Sequence, residues 1–328
     1  MEKILIIGAN GQIGSELVGA LAQQHGADNV IASDIGADNV YGAARYQRLD
    51  VLDAQALRTL VERENVTQIY QLAALLSATG EQMPLKAWTL NMDGLLNVLE
   101  LAKDRNACGR PLRIFWPSSI AAFGPNTPGR GTPQNTIMDP TSIYGISKLA
   151  GERLCDWYHT KYGVDVRSIR YPGIISYKSP PGGGTTDYAI AIFHAALLGE
   201  RYDSFLGPET TLPMIYMPDA IRATIALMEA PSEQIEVRSS YNVAGLSFNP
   251  RELADEIARQ LAKNGKKFEI AYTPDSRQAI ADSWPQSLDD SVAREQWGWK
   301  AEIGLEQLVA DMLANVKAVP AGAHKSAA

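Results

Sequence analysis

Short apolar runs alternate with helical patterns along the first half of the chain. The apolar runs cover residues 3–8, 30–34, 46–49, 68–72, 113–118 and 166–171, and each has the length of a buried strand. Between them, apolar residues recur at spacings of three and four in SELVGALAQQHG, AQALRTLVEREN, PLKAWTLNMDGLLNVLELAKDRN and SKLAGERLCDWYHTKYG. Strands alternating with helices predict an α/β fold with a doubly wound parallel sheet of the Rossmann type.

The alternation changes after Tyr171, where prolines and the stretch PPGGGTTDYA follow. A helical pattern comes next, and strand and helix patterns that resemble the first half return near residues 214–245. We therefore predict a cofactor-binding Rossmann domain over residues 1–177 with returning segments near 214–245. Residues 178–318 are predicted to form mainly a smaller substrate-binding lobe, and the small, polar residues 319–328 a disordered tail.

Composition excludes several classes of protein. The 328 residues are 45% hydrophobic and 20% charged, which is typical of a globular protein, and the net charge of −7 disfavours a nucleic-acid partner. Cys108 and Cys155 lie far apart, and the four histidines show no ligand spacing, so we expect a reduced, cytoplasmic setting and no metal. No segment has the roughly 18 apolar residues of a membrane span, so we expect no membrane partner.

A glycine motif follows the first predicted strand and opens the first predicted helix. In IGANGQIG, Gly8, Gly11 and Gly14 allow a pyrophosphate to approach the backbone, and the helix N-terminus favours the anion. Three glycines alone are weak evidence, but Asp34 ends the second strand twenty residues further on. Its carboxylate would accept the ribose hydroxyls and repel a 2′-phosphate, which predicts NAD rather than NADP. The alternative is that Asp34 caps a strand end; likewise, Asp50 would lie near the adenine or serve as a turn residue.

A second motif carries candidate catalytic groups. In SIYGISKLAGE, Tyr144 and Lys148 are four residues apart and share one helix face. The preceding strand ends in WPSSIAAFG, which places Ser118 and Ser119 at the edge where ligands bind in such sheets. A phenol with an ordinary pKa of about 10 needs a nearby positive charge to remove a proton near neutral pH, and an ammonium group with the cationic nicotinamide ring supplies it. A packed tyrosine and a solvated lysine are the alternative.

These motifs, together with LNMDGLLNVLELA, resemble the extended short-chain dehydrogenase/reductases. More narrowly, ALLSATGEQMP, PPGGGTTDYA and IADSWPQSLDDSVAREQWGW resemble the family of short-chain-type L-threonine 3-dehydrogenases. The resemblance extends to about residue 318. It implies an enzyme that oxidises L-threonine at C3 to 2-amino-3-oxobutyrate with hydride transfer to NAD.

The resemblance implies a role for each matching residue. Ser119 would hold the reacting oxygen, Tyr144 would be the base and Lys148 its ribose-binding partner. The residues implied to bind or brace NAD are Gly8, Gly11, Gln12, Ile13, Gly14, Asp34, Asp50, Val51, Leu72, Ala73, Ala74, Asn91, Tyr144, Lys148, Tyr171 and Pro172. The residues implied to bind substrate are Ser77, Ser119, Tyr144, Gly183, Gly184, Thr185, Thr186, Asp187 and Trp284.

The glycine and threonine stretch suits an amino-acid substrate. Backbone N–H groups with Thr185 and Thr186 suit the carboxylate, and Asp187 would meet the ammonium. A structural hinge for the glycines and core packing for Trp284 are the alternatives.

Two other functions stay open at this point. A nucleotide-sugar epimerase or dehydratase would need basic groups for a second pyrophosphate, and Arg222, Arg238 and Arg277 keep that possibility open. A non-catalytic NAD-sensing protein is disfavoured by the intact serine, tyrosine and lysine set. The long helices near residues 84–105 and 144–162 predict a homodimer, although burial under the same chain is the alternative.

Overall fold

The computed structural model describes residues 2–37, 45–182 and 184–319. Two predictions fall partly outside the described residues. These are Gly183 of the predicted substrate site and residues 320–328 of the predicted disordered tail.

Six parallel strands form the central sheet in the order β3-β2-β1-β4-β5-β7. Their bounds are Ile4–Ile7 (β1), Val30–Asp34 (β2), Arg45–Arg48 (β3), Gln68–Gln71 (β4), Arg113–Phe115 (β5) and Asp165–Arg167 (β7). The chain adds strands on one side of β1 and then on the other. This order confirms the predicted doubly wound sheet and places its switch point between β1 and β4, where such sheets bind ligands.

Two of the predicted strands are each divided in the structure. The run 113–118 becomes β5 and a separate β6 (Ser118–Ser119), and the run 166–171 becomes β7 and β8 (Ile169–Tyr171). The Trp116 N–H still donates to the Arg167 carbonyl at 3.1 Å, but Pro117 has no N–H with which to continue the ladder. Beyond that point β8 pairs instead with β6 and with β12 (Tyr241–Asn242).

Helices cover both faces of the central sheet, as predicted. Helices α1 (Gln12–His25) and α8 (Met217–Glu229) share one buried cluster with the sheet. The opposite cluster contains residues of α2 (Ala54–Glu64), α5 (Gly94–Ala107) and α6 (Ile143–Tyr162). The long helix predicted from residue 84 is three pieces: α4 (Pro84–Trp88), a π-helical turn (Thr89–Asp93) and α5, preceded by the short α3 (Ser77–Gln82).

A third buried cluster forms the core of the C-terminal lobe. It lies among α7 (Tyr188–Leu198), α9 (Pro250–Ala262), α12 (Leu305–Asn315) and a sheet of β9 (Gly173–Ile175), β11 (Leu212–Tyr216) and β13 (Leu246–Phe248). Strands β10 (Tyr202–Ser204) and β14 (Ile270–Tyr272) pair beside it, and α10 spans Arg277–Asp282. Helix α9 begins with a capping box in which the Asn249 side chain accepts from the Glu252 N–H and the Glu252 carboxylate accepts from the Asn249 N–H.

The segments near residues 214–245 pair with strands of the range 1–177 that lie outside the central sheet. Strand β11 pairs with β9, and β12 pairs with β8. Helix α11 (Ser291–Trp297) also contributes Ala293 and Trp297 to the cluster that contains α1 and α8. The division into one domain of residues 1–177 with 214–245 and a lobe of residues 178–318 remains a proposal. Helix α11 belongs to the second range but packs on the core that contains α1 and α8.

Candidate active site

The turn after β1 has backbone that only glycine fits. Gly8 has a φ of +83°, and a Cβ there would stand 2.7 Å from the Ala73 nitrogen at the end of β4. A Cβ on Gly14 would stand 2.3 Å from the Gly8 carbonyl oxygen. Helix α1 therefore starts close against β1, and its first turn carries no acidic residue. This N-terminus can accept a pyrophosphate on its free N–H groups.

Asp34 lies beside the glycine turn. Its carboxylate accepts the Asn10 N–H at 3.0 Å and the Ile35 N–H at 2.8 Å. These bonds hold the carboxylate at the end of β2, where a ribose would meet it. The parallel register also places Arg48 of β3 opposite Asp34, and its Nε donates to the Ile35 carbonyl at 3.0 Å. Arg48 lies fourteen residues after Asp34 in the chain, so the glycine motif and Asp34 did not predict this neighbour.

Several predicted cofactor residues lie along the same edge with structural bonds of their own. The Asp50 carboxylate accepts the Leu52 N–H at 2.9 Å, which is the turn role that the sequence left open. Val51 is buried, and its carbonyl accepts from the Asn97 amide at 2.9 Å. Residues 72–74 continue from β4 past the glycine turn, and the side chains of Leu72 and Ala74 face the central cavity.

Asn91 braces the site rather than lining it. Its Oδ1 accepts the Leu75 N–H at 2.8 Å, and its Nδ2 donates to the Leu75 carbonyl at 3.1 Å and to Ser147 Oγ at 3.3 Å. Asn91 lies in the π-helical turn, a type of irregularity that is frequent at functional sites. It therefore joins the loop after β4 to α6, which carries Tyr144.

Ser119, Tyr144 and Lys148 meet in one cavity of about 250 Å³ at the carboxyl ends of the strands. Tyr144 and Ser119 are hydrogen-bonded through their side chains. The Lys148 ammonium donates to the Pro117 carbonyl at 2.6 Å and lies 5.4 Å from the centre of the Tyr144 ring. Helix α6 starts at this point because the Ser142 hydroxyl accepts the Gly145 N–H at 3.0 Å.

Burial is the largest cause of the pKa shifts of Tyr144 and Lys148 in the protein alone. It raises the pKa of Tyr144 to about 12, against the lowering effect of the Ser119 hydrogen bond. Burial lowers the pKa of Lys148 to about 7, while charge interactions with Cys155 and Glu152 raise it. The residue pattern predicts a lowered phenol pKa from an ammonium and a nicotinamide cation together. Such a lowering needs the charges of the complex and stays a prediction.

The predicted substrate residues face the same cavity from the other side. Ser77 enters from the start of α3, Trp284 from the C-terminal lobe, and Gly184, Thr185, Thr186 and Asp187 from the loop before α7. Thr185 is buried, and the Asp187 carboxylate accepts the Gly184 N–H at 2.8 Å. Trp284 also packs against the core of the C-terminal lobe and against a small cluster of Ile120, Phe123 and Leu288, so the core-packing alternative holds in part.

A family model described as the NAD-dependent epimerase/dehydratase family matches residues 4–244. The chain belongs to this family. In keeping with it, NAD is the cofactor, and the glycine turn, the start of α1 and Asp34 fit its pyrophosphate and ribose.

Several relatives within this family are named as L-threonine dehydrogenases. A GalE-like L-threonine dehydrogenase from Cupriavidus necator in its holo form is 59% identical with a TM-score of 0.91, covering 95% of this chain and 99% of that one. The mitochondrial L-threonine 3-dehydrogenase of Bos taurus is 44% identical over 315 residues, which is 95% of this chain and 82% of that protein. A monomeric L-threonine 3-dehydrogenase from a metagenome is 43% identical with a TM-score of 0.89, covering 95% and 98%.

The three arginines that kept a nucleotide-sugar substrate open are bound elsewhere. Arg238 pairs with Asp165 at 2.6 Å, and Arg277 pairs with Asp275 while stacking on Phe205. Arg222 pairs with Asp219 and donates to the Lys300 carbonyl at 2.8 Å. Among the described residues that line the cavity, Lys148 is the one cationic side chain. A second diphosphate would therefore find no arginine there.

Sequence reasoning missed part of the site. Gly173 follows Pro172, and a Cβ there would stand 2.6 Å from the Thr186 methyl, so only glycine lets the loop approach β9. The other missed lining residues are Leu76, Pro117, Ser118, Ile120, Ile174, Pro180 and Gly182. Most are apolar or small and have no chemical signature; Ser118 was noted as a strand-end serine but given no role.

A buried ion pair under the cavity was also missed. Glu152 and Arg170 are both fully buried, and Arg170 donates to the two carboxylate oxygens at 3.0 and 2.8 Å. The Ser118 hydroxyl donates to the same carboxylate at 2.6 Å. Glu152 lies one helical turn after Lys148, and that spacing was the signal that could have found it.

Across the described ranges, no three His, Cys, Asp or Glu side chains are grouped so that they could hold a metal ion. In the same part of the chain, every helix is too short or too polar to cross a membrane.

Proposed function

We propose that this protein is an NAD-dependent L-threonine 3-dehydrogenase. The observation that carries the proposal is a single cavity that joins Ser119, Tyr144 and Lys148 to the loop of Thr185, Thr186 and Asp187. The 44–59% identity with enzymes of that name over about 95% of this chain supports it. When bound, NAD supplies a hydride acceptor at the nicotinamide ring.

The chain's own groups divide the remaining work. The Ser119 hydroxyl holds the C3 oxygen of threonine, and the Tyr144 phenolate removes its proton as the C3 hydride leaves, which gives 2-amino-3-oxobutyrate. The Lys148 ammonium, fixed on the Pro117 carbonyl, binds the cofactor ribose and stabilises the phenolate. Thr185, Thr186 and Asp187 with Ser77 orient the amino acid so that C3 faces the ring. Trp284 and the loop exclude water.

The test is NADH absorbance when the protein is mixed with NAD and L-threonine. Product should appear with L-threonine, and no NADH should form with D-threonine, because inversion at C2 and C3 places the ammonium away from Asp187 and turns the C3 hydrogen away from the ring. A nucleotide-sugar enzyme of this family would instead change a UDP-sugar, detected by chromatography, and leave L-threonine untouched. An NAD-sensing protein would bind NAD and turn over neither.

We further propose a homodimer formed through α4, α5 and α6. Leu85 and Trp88 of α4 and Ile146 and Trp157 of α6 are exposed, although each is a large apolar side chain. Ile146 and Trp157 are eleven residues apart, which is three helical turns and hence one face. Such a patch favours a second copy of the chain. A cytoplasmic location is likewise a proposal, supported by Cys108 and Cys155, which are both free thiols.

A further inference from the structure

The Lys148 ammonium lies against an aromatic ring that the reaction scheme does not use. Its Nζ stands 4.6 Å from the centre of the Trp116 indole, nearer than the Tyr144 ring at 5.4 Å. Lys148 and Trp116 are each 3% exposed. A cation over the face of tryptophan at this distance is attracted by the negative π cloud, and the attraction grows when water is excluded.

Helix α6 is shaped to admit this indole. Gly151 lies three residues after Lys148, and a Cβ there would stand 2.3 Å from Trp116 Cη2 and 2.6 Å from Cζ2. Glycine weakens a helix interior because it has more backbone freedom to lose. At this position any larger residue would displace the ring that covers Lys148.

The carboxylate nearest to Lys148 on its own helix is already paired with other residues. Among the described residues, no carboxylate lies within ion-pair distance of Lys148. Glu152 and Cys155 face it from its own helix, but Glu152 is bonded to Arg170 of β8 and to Ser118, with the exposed Arg153 at 3.8 Å. From the loop after β5 the ammonium meets Trp116 and the Pro117 carbonyl, which are uncharged. The indole thus adds its negative π cloud to the Pro117 carbonyl and the paired Glu152 around the ammonium.

We propose that Trp116 is a positioning residue that holds Lys148 as an ammonium ion beside Tyr144 and the cofactor ribose. Burial lowers the pKa of Lys148 to about 7 against the raising effect of Cys155 and Glu152, so a further loss of stabilisation would leave most of it deprotonated at neutral pH. The inference rests on the proposed function only where activity is the readout. NAD binding tests it independently.

The experiment measures NAD affinity by calorimetry from pH 5 to 9 in wild type, Trp116→Phe and Trp116→Leu. Lys148 can bind the ribose as an ammonium ion only while it is protonated. NAD affinity should therefore be high below the pKa of Lys148 and should be lost as the pH rises through that value. In Trp116→Leu the midpoint of this loss should fall by about one to one and a half units, since a desolvated cation–π contact has that magnitude. Trp116→Phe keeps an aromatic face and should lie between. A midpoint in folded Trp116→Leu that equals wild type overturns the proposal.

Gly151→Ala provides a second test that leaves Trp116 in place. The new methyl would displace the indole, so the midpoint should fall as in Trp116→Leu, and in the Trp116→Leu background it should cause no further shift. Shifts that add in the double variant overturn the proposal. Trp297→Leu removes a buried tryptophan far from Lys148 and should lower the melting temperature without moving the midpoint.

Activity then separates this inference from the proposed function. If wild type fails to oxidise L-threonine, the proposed function is wrong, and the binding midpoints still decide the role of Trp116. If wild type oxidises L-threonine, the rising limb of kcat/KM should move to higher pH in Trp116→Leu, because the Tyr144 phenolate loses its ammonium partner. An unmoved limb with unmoved binding midpoints contradicts this inference alone.

Discussion

At the scale of single residues, we expect the choice between NAD and NADP to depend on two side chains that the sheet brings together. Asp34 ends β2, and Arg48 ends β3 fourteen positions later, yet the parallel register makes them neighbours. The carboxylate accepts two backbone N–H groups and still has lone pairs for ribose hydroxyls. The guanidinium of Arg48 is exposed nearby and would attract a 2′-phosphate if the carboxylate were absent.

We therefore expect Asp34→Ala to weaken NAD binding by at least tenfold, about 1.4 kcal/mol, and to weaken NADP binding far less. Dissociation constants for both cofactors, measured by calorimetry, check this. In the Asp34→Ala background, Arg48→Ala should weaken NADP again while leaving NAD nearly unchanged. An NAD to NADP ratio that equals wild type would show that Asp34 only caps its strand.

Tyr144→Phe removes the hydroxyl that would take the substrate proton and leaves the ring in place. Turnover of L-threonine should fall by at least a hundredfold, about 2.7 kcal/mol or more in the barrier, while NAD affinity changes little. Stopped-flow or steady-state NADH formation measures the first quantity and calorimetry the second. Activity within about tenfold of wild type would be incompatible with Tyr144 as the base.

At the scale of elements, a buried ion pair joins α6 to the strands below it. Glu152 of α6 holds Arg170 of β8, whose guanidinium also donates to the Gln134 carbonyl and to Asn242 Oδ1. Ser118 of β6 bonds the same carboxylate. The pair thus fixes the position of α6, which carries Tyr144 and Lys148, relative to β6, which ends at Ser119.

Glu152→Gln should lower the free energy of unfolding by about 3 to 5 kcal/mol, because a buried guanidinium would lose its countercharge. Urea unfolding followed by circular dichroism gives the value. Glu209 pairs with Arg251 at the surface, where both side chains are more than half exposed, so Glu209→Gln should cost less than about 1 kcal/mol. Equal losses in the two variants would mean that the buried pair contributes no more than a surface pair.

The loop before α7 carries the proposed contacts to the amino acid. Asp187 has two roles to separate, since its carboxylate accepts the Gly184 N–H and also faces the cavity. Asp187→Ala should raise KM for L-threonine or lower kcat, a loss of about 2 to 5 kcal/mol, with NAD affinity within a few-fold of wild type. Asp187→Asn keeps an acceptor for Gly184 and removes the charge. If it behaves as wild type, Asp187 holds the loop and does not bind the ammonium.

The sequence predicted elements well where the signal is local. Strand β1 and helix α6 follow from neighbouring residues, so the periodicity of apolar residues located them. Features that depend on residues distant in the sequence were not predicted. The chain gives no local sign that Arg48 faces Asp34, that Gly173 admits Thr186, or that Pro117 ends one strand pairing so that β8 can begin another. The π-helical turn at Asn91 likewise depends on contacts with Leu75 and Ser147.

At the scale of the whole molecule, the exposed apolar face of α4 and α6 is the feature that the single chain does not explain. Leu85 is 84% exposed, and it shares this region with Trp88, Ile146 and Trp157, which are 39%, 42% and 45% exposed. Helices α4 and α6 also contact each other, so we expect the four side chains to contribute to one surface. Burying such a surface against a second copy removes apolar area from water at both faces at once.

We expect wild type to be a dimer by light scattering and by sedimentation velocity at micromolar concentration. Leu85→Glu combined with Ile146→Glu should yield monomers, because two buried carboxylates in each subunit would lack partners at the interface. Ile137 is 62% exposed and lies outside these helices, so Ile137→Glu should leave the dimer intact. Melting temperature and NAD affinity report whether the monomeric variant stays folded. A wild-type monomer under these conditions would place this chain with its metagenome relative, and α4 and α6 would then face solvent.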